Sequence, residues 1–227
     1  MMTKEHGMAG EFSIRDEEAP VGMVAFSVLK DGAVFQDFGI NHTKEMHLIA
    51  LREDLQYFHH LHPERDASGV WRIAFVPEAA GVYRFYADFV DRAGNNYALR
   101  FQKAFPGNPG TDSFQPDFTT KKSVGAYTVE FLPPLTSASG IEYGYRITDA
   151  EGHDVPVEQY LGAQGHSVLI SPSGDYIHTH PHEEYEGFRP TDAPQFVVPI
   201  PKDPYYRIFT EFQVAGKVFI VVFDWKK

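Results

Sequence analysis

The 227-residue sequence contains no cysteine, which excludes disulfide bonds, thiolate-ligated zinc, iron–sulfur clusters and a cysteine nucleophile. It also has no run of about 18 apolar residues, so we expect no transmembrane span. Basic side chains are fewer than acidic ones, 20 against 31, which gives a formal net charge of −11. This charge, together with the lack of a basic stripe, argues against a nucleic-acid partner.

Apolar residues are plentiful, at 43% of the chain with 15% aromatic, so the sequence can build a real core. They recur mostly at alternate positions over short stretches separated by turn residues, which predicts strands rather than helices. The predicted strands are Gly22–Leu29, Met46–Leu51, Gln56–Leu61, Val70–Phe75, Val82–Phe89 and Tyr97–Lys103, and then Ala126–Phe131, Glu142–Thr148, His166–Ile170, Tyr176–His180, Gln195–Pro199, Tyr205–Val214 and Lys217–Asp224.

The two halves of the chain repeat each other. A histidine strand, a turn and a His-x-His-Pro segment occur at 47–63 and again at 166–181, and the strand at 82–89 matches the one at 205–212. Residues 104–123 combine proline, glycine and polar residues without periodicity, which is typical of a linker. We therefore predict two tandem antiparallel β-sandwich domains of the immunoglobulin or cupredoxin-like kind, 11–112 and 113–227, related by internal duplication.

Histidine is the unusual component, because most of the eleven histidines fall within two short windows. In the first half, His60 and His62 are two residues apart and share one face of their strand. A hairpin turn centred between positions 53 and 54 places His47 opposite His60, and a turn shifted by one residue places it opposite His62. In either register the three imidazoles lie on one face, within reach of a common ion.

The second half offers the same arrangement. A turn centred on Ser173 puts His166 opposite His180, with His178 on the same face. Alternation also puts apolar residues such as Ile49 and Val168 on these faces. We therefore expect the imidazoles at the rim of the core-facing side, where a partly dry setting favours the neutral, metal-binding ring.

A fourth ligand is predicted less directly. Asp88 and Glu211 occupy matching positions near a strand end, where each could be a ligand or a solvated edge carboxylate. His182 continues the phase of His178 and His180, whereas His59 falls on the opposite face of its strand. A thiolate-free set rich in imidazole suits Zn(II), Cu(II), Ni(II) or Fe and disfavours Mg and Ca, and of these zinc and copper are expected first.

The strings Met46–Glu64 and Gly81–Phe89, with Tyr160–His166 and His178–Pro181, resemble a family of secreted bacterial proteins. The resemblance implies tandem sandwiches, an extracytoplasmic location and a role in heavy-metal handling. The family's motif residues fall here on His47, His60, His62, Asp88, His166, His178 and His180. The polar amino-terminal residues contain no apolar export segment, which leaves open export with a removed leader or a cytoplasmic location.

The favoured function is the capture of a divalent transition-metal ion by each domain, with the histidine trios as ligands and no catalytic residue. One alternative is a metal-dependent hydrolase or oxidase that uses one trio plus a bound water, with Asp88 or Glu64 as general base. The other is an adhesion or assembly module in which the histidine clusters are structural. The predicted partner is the metal ion, and the sequence names no protein partner.

Overall fold

A computed structural model describes residues 11–108, 114–137, 140–181 and 194–227, and every regular element within these ranges is a β-strand. The prediction of an all-β chain is therefore confirmed. Within the same ranges there is no helix of the length and apolarity needed to cross a bilayer. The described residues divide into two compact units, the first ending at Phe114 and the second beginning at Gln115.

Nine strands build the first domain within its described residues, 11–108. They are β1 (Phe12–Asp16), β2 (Met23–Lys30), β3 (Ala33–Val34), β4 (His47–Arg52), β5 (Phe58–Leu61), β6 (Glu64–Arg65), β7 (Val70–Ala74), β8 (Gly81–Val90) and β9 (Asn96–Phe105). One sheet has the order β1-β2-β7-β6, with β3 also paired to β2, and the other has the order β5-β4-β8-β9. All of these pairings are antiparallel.

The second domain repeats this plan with one strand fewer among the described residues. Its strands are β10 (Lys121–Val124), β11 (Tyr127–Ser137), β12 (Gly140–Thr148), β13 (His166–Ile170), β14 (Tyr176–Thr179), β15 (Gln195–Val198), β16 (Tyr205–Val214) and β17 (Lys217–Lys226). The sheet orders are β10-β11-β12-β15 and β14-β13-β16-β17. The second of these corresponds strand for strand to β5-β4-β8-β9, as the predicted duplication requires.

Each domain has its own aromatic core between its two sheets. In the first domain, Phe26 and Trp71 from one sheet pack with Phe85 from the other, and all three are fully buried or nearly so. In the second domain, Tyr145 and Phe223 belong to an equivalent cluster. Large rings from both sheets therefore form the contact between the two layers of each sandwich.

The strand that begins with His47 is buried on both faces. Leu48 and Ala50 belong to the core cluster of the sandwich, whereas His47, Ile49 and Leu51 alternate with them and point the other way. The expectation that the imidazoles lie on the core-facing side is therefore wrong. They lie on the reverse face of the sheet, and the error arose because the apolar residues of β4 occupy both faces.

Candidate metal centre

Three histidine side chains of the first domain converge on one point. His47, His60 and His62 each offer a ring nitrogen, and these nitrogens all lie within 4.8 Å of one another. His47 is the first residue of β4, His60 is in β5, and His62 follows directly after the end of β5. His47 is fully buried, while the other two rings are half-buried, so the cluster is closed on one side and more open on the other.

The distances within this trio are short and specific. His47 Nδ1 lies 3.0 Å from His60 Nε2 and 3.3 Å from His62 Nε2. His47 Nε2 lies 3.0 Å from the carbonyl oxygen of Asn41, and since a carbonyl only accepts, this nitrogen carries the proton and donates. In the neutral ring, Nδ1 is then the acceptor, with a single in-plane lone pair directed towards two other imidazole nitrogens.

The hairpin register decides how the rings meet. Ile49 pairs with His60 and Leu48 with Leu61, which places His47 level with His62. Of the two registers predicted for this hairpin, the shifted one is therefore adopted. In the second domain Ser167 pairs with Thr179, so His166 lies level with His180, as predicted for a turn centred on Ser173.

The second trio has the same construction. Ring nitrogens of His166, His178 and His180 also lie within 4.8 Å of one another, and the first two side chains are buried. His166 Nε2 donates to the carbonyl oxygen of Tyr160 at 2.9 Å, so Nδ1 is again the acceptor nitrogen. Nδ1 of His166 and Nε2 of His178 and of His180 are the buried nitrogens, the same three ring positions that approach one another in the first trio.

Asp88 and Glu211 lie beside the trios without joining the groups of mutually close ligand atoms. Asp88 pairs with His47 across β4 and β8, and Glu211 pairs with His166 across β13 and β16. Directly paired residues share a face of a sheet, so each carboxylate lies on the histidine side. They are 4% and 6% exposed, which overturns the alternative of a solvated edge carboxylate. Ligation by Asp88 stays a prediction.

Each trio has a nearby tyrosine whose hydroxyl is partly or fully shielded from water. Tyr86, which pairs with Ile49 on the histidine side of the sheet, is 2% exposed, and burial raises the pKa of its hydroxyl. Burial likewise raises the pKa of Tyr160, and the negative charge of Glu211 adds to the shift. Low polarity around these hydroxyls penalises their charged forms.

Two further histidines contact carboxylates, and two others lie outside the described residues. His59 lies 3.0 Å from Glu78, and exposed His153 lies 3.3 Å from Asp149, so each has a carboxylate neighbour of its own. Glu64, a candidate general base, is exposed on β6. His6 and His182 lie outside the described residues.

Sequence reasoning missed the two carbonyl groups that orient the first histidine of each trio. Asn41 and Tyr160 each precede their histidine by six residues, and each accepts the Nε2 proton through its backbone. Because a backbone carbonyl has no side-chain signature, only the equal spacing in the two halves could have indicated it.

The donor set suits a borderline transition-metal ion. In a tetrahedral site with metal–nitrogen bonds of about 2.0–2.1 Å, ligand nitrogens lie about 3.3 Å apart. The separations of 3.0 and 3.3 Å in the first trio come close to this value. Three neutral nitrogens and no thiolate fit Zn(II) or Cu(II), whereas Ca²⁺ and Mg²⁺ require oxygen ligands.

Comparison with known proteins identifies one family. The model of the family described as Domain of unknown function (DUF8832) matches residues 11–104 and 122–227. No curated protein matches the chain.

Solved structures similar to this chain include parts of two adhesion proteins and a group of carbohydrate-binding modules. One is a tetra-tandem repeat from the extending region of a large adhesion protein, with 11% identity and a TM-score of 0.31. This match covers 96% of this chain and 49% of the adhesion-protein chain. A second match is a Ca²⁺-stabilised, ice-binding adhesin of an Antarctic bacterium, with 14% identity and a TM-score of 0.23. This match covers 97% of this chain and 49% of the adhesin chain. A third match is to carbohydrate-binding modules of the β-sandwich superfamily, with 11% identity and a TM-score of 0.23. It covers 96% of this chain and 97% of the matched chain. The chain thus spans about half the length of the first two, and these likenesses concern the fold alone.

Proposed function

We propose a metal-binding role for this chain, which belongs to the family described as Domain of unknown function (DUF8832) and contains one histidine trio in each of its two matched segments. Each domain binds one divalent transition-metal ion, zinc or copper, through its three imidazoles. The protein then captures or carries metal with two sites per chain. Resemblance to secreted heavy-metal-handling proteins supports placing this role outside the cytoplasm.

The observation that carries the proposal is the pair of distances around His47 Nδ1, 3.0 Å to His60 and 3.3 Å to His62. One lone pair on Nδ1 cannot accept fully from two donors in different directions. A cation at the centre of the three nitrogens would be contacted by all of them at once. The corresponding ring nitrogens are buried in the second trio, so the same arrangement occurs in both domains.

Binding rather than catalysis is favoured by what the two domains share. Both trios combine three imidazoles, a carbonyl that orients the first ring and a buried carboxylate in the neighbouring strand. That carboxylate places a negative charge on the same face, which offsets part of the charge of a bound dication. An overall net charge of −11 also raises the local concentration of cations.

Titration of the untagged protein with metal ions tests the proposal. We expect about two equivalents of Zn²⁺ per chain by calorimetry and elemental analysis after dialysis, and saturable binding of Cu²⁺. Calcium and magnesium at millimolar concentration should neither bind at these sites nor displace zinc, because the ligands are nitrogen atoms. Absence of stoichiometric zinc and copper binding would refute the proposed function.

A further inference from the structure

A tight hairpin turn precedes the first histidine of each trio. In the first domain, Asn41 and Lys44 exchange both backbone hydrogen bonds, with N–O distances of 2.8 and 3.0 Å. In the second domain, Tyr160 and Ala163 do the same at 2.8 and 3.2 Å. Each turn therefore has two central residues, and its first residue supplies the carbonyl that meets the histidine ring.

Both turns have the backbone conformation of type I′. The central residues have positive φ, 45° and 70° at His42 and Thr43 and 51° and 79° at Leu161 and Gly162. Gly162 takes this conformation without cost, whereas the β-branched Thr43 is strained there. Such strain persists only where the surrounding structure holds it, and it is concentrated at functional sites.

The carbonyl of each turn is shared between the turn and the ring. Asn41 O accepts from the Lys44 amide at 3.0 Å and from His47 Nε2 at 3.0 Å. Tyr160 O accepts from the Ala163 amide at 3.2 Å and from His166 Nε2 at 2.9 Å. A carbonyl oxygen has two lone pairs, so one accepts from the amide that closes the turn and the other accepts from the imidazole.

We propose that these two turns are positioning elements for the metal sites. Each holds its histidine in the Nε2–H tautomer, so that Nδ1 of His47 and of His166 faces the other two imidazoles as a ligand. The inference rests on the proposed function and assigns a role to Thr43 and Gly162, which are exposed and are not members of the trios. Loss of an outer partner of a ligating histidine typically weakens metal binding by about 10–100-fold.

The test uses the full chain with the second trio removed by His178→Ala and His180→Ala, so that zinc affinity reports on the first site. Thr43→Pro forbids the positive φ and breaks the turn, whereas Thr43→Gly keeps the turn and relieves its strain. We expect Thr43→Pro to weaken zinc binding by about 10–100-fold. Thr43→Gly should bind zinc at least as tightly as the chain with Thr43.

A matched control lies in the same domain. Asp31 and Gly32 form a turn with φ values of 52° and 81° between β2 and β3, whose ends pair at Lys30 and Ala33. Gly32→Pro breaks a turn of the same type that makes no contact with the trio. It should leave zinc affinity unchanged while circular dichroism of all variants remains that of a β-sheet protein. If Thr43→Pro does not fold, Gly162→Pro in a chain without the first trio gives the same comparison for His166.

Nuclear magnetic resonance of the imidazole nitrogens in the metal-free protein gives a readout independent of zinc. We expect His47 to adopt the Nε2–H tautomer in the chain with Thr43 and in the Thr43→Gly variant, and to lose it in Thr43→Pro. Retention of that tautomer in Thr43→Pro, or equal zinc affinity in Thr43→Pro and Thr43→Gly, would overturn the positioning role. If the tautomer depends on the turn but the chain binds no zinc, the proposed function alone fails.

Discussion

Replacing His60 and His62 together by alanine is expected to remove one of two zinc equivalents from the chain. Both side chains offer Nε2 to the trio at 3.0 and 3.3 Å from His47 Nδ1, so a single imidazole remains in the first domain. One nitrogen ligand cannot retain a divalent ion against solvent water. Because both rings are half-buried and lie outside the aromatic core, the β-sheet circular dichroism should be unchanged.

His59→Ala is the matched control for this double variant. It removes the neighbouring imidazole of the same strand, which contacts Glu78 rather than the trio. Its zinc stoichiometry should therefore remain two. Two equivalents in the His60→Ala/His62→Ala chain would eliminate the first trio as a binding site.

Zinc is expected to stabilise both domains strongly, since the ligands converge only in the folded state. At a free zinc concentration one hundred times the dissociation constant, binding adds about 2.7 kcal/mol to the free energy of unfolding. For a domain of about 100 residues this raises the melting midpoint by roughly 10–20 °C. Calorimetric scans with and without zinc measure the shift.

Variants of each trio assign the shifts to their domains. His178→Ala/His180→Ala should leave one zinc-dependent transition, His60→Ala/His62→Ala should leave the other, and the combined variant should leave none. Comparing each variant with its own zinc-free scan separates the loss of metal from any loss of packing. A combined variant whose midpoints still rise with zinc would show that the stabilisation comes from elsewhere in the chain.

The fold was largely predictable because the sheets obey simple alternation. Most predicted strands are present with ends shifted by a residue or two, and turns such as Ala215-Gly216 adopt the positive φ that their sequence indicates. Four strands were missed, namely β1 (Phe12–Asp16), β3 (Ala33–Val34), β6 (Glu64–Arg65) and β10 (Lys121–Val124). Each has five residues or fewer, which is too short for a clear alternation of apolar and polar residues, and each forms by pairing with a longer neighbouring strand.

The residues that form each trio could be predicted from the sequence, but the surroundings of the trios could not. A spacing of two residues puts His60 and His62 on one face in any register, so the grouping with His47 survives the one-residue shift. The sequence did not predict which face of β4 packs against the core, since apolar residues lie on both faces of this strand. The turn at Asn41–Lys44 was not predictable either, because Thr43 is a residue that type I′ turns disfavour.

The central claim is that three imidazoles in each domain hold one metal ion, and anomalous diffraction at the zinc edge from crystals of the zinc-loaded protein tests it most directly. We expect one peak in each domain, bonded at about 2.0–2.1 Å to three imidazole nitrogens. In the first domain these are Nδ1 of His47 and Nε2 of His60 and His62, and in the second the same positions of His166, His178 and His180. Peaks held by other residues, or trios whose rings remain hydrogen-bonded to one another without a peak between them, would contradict the account.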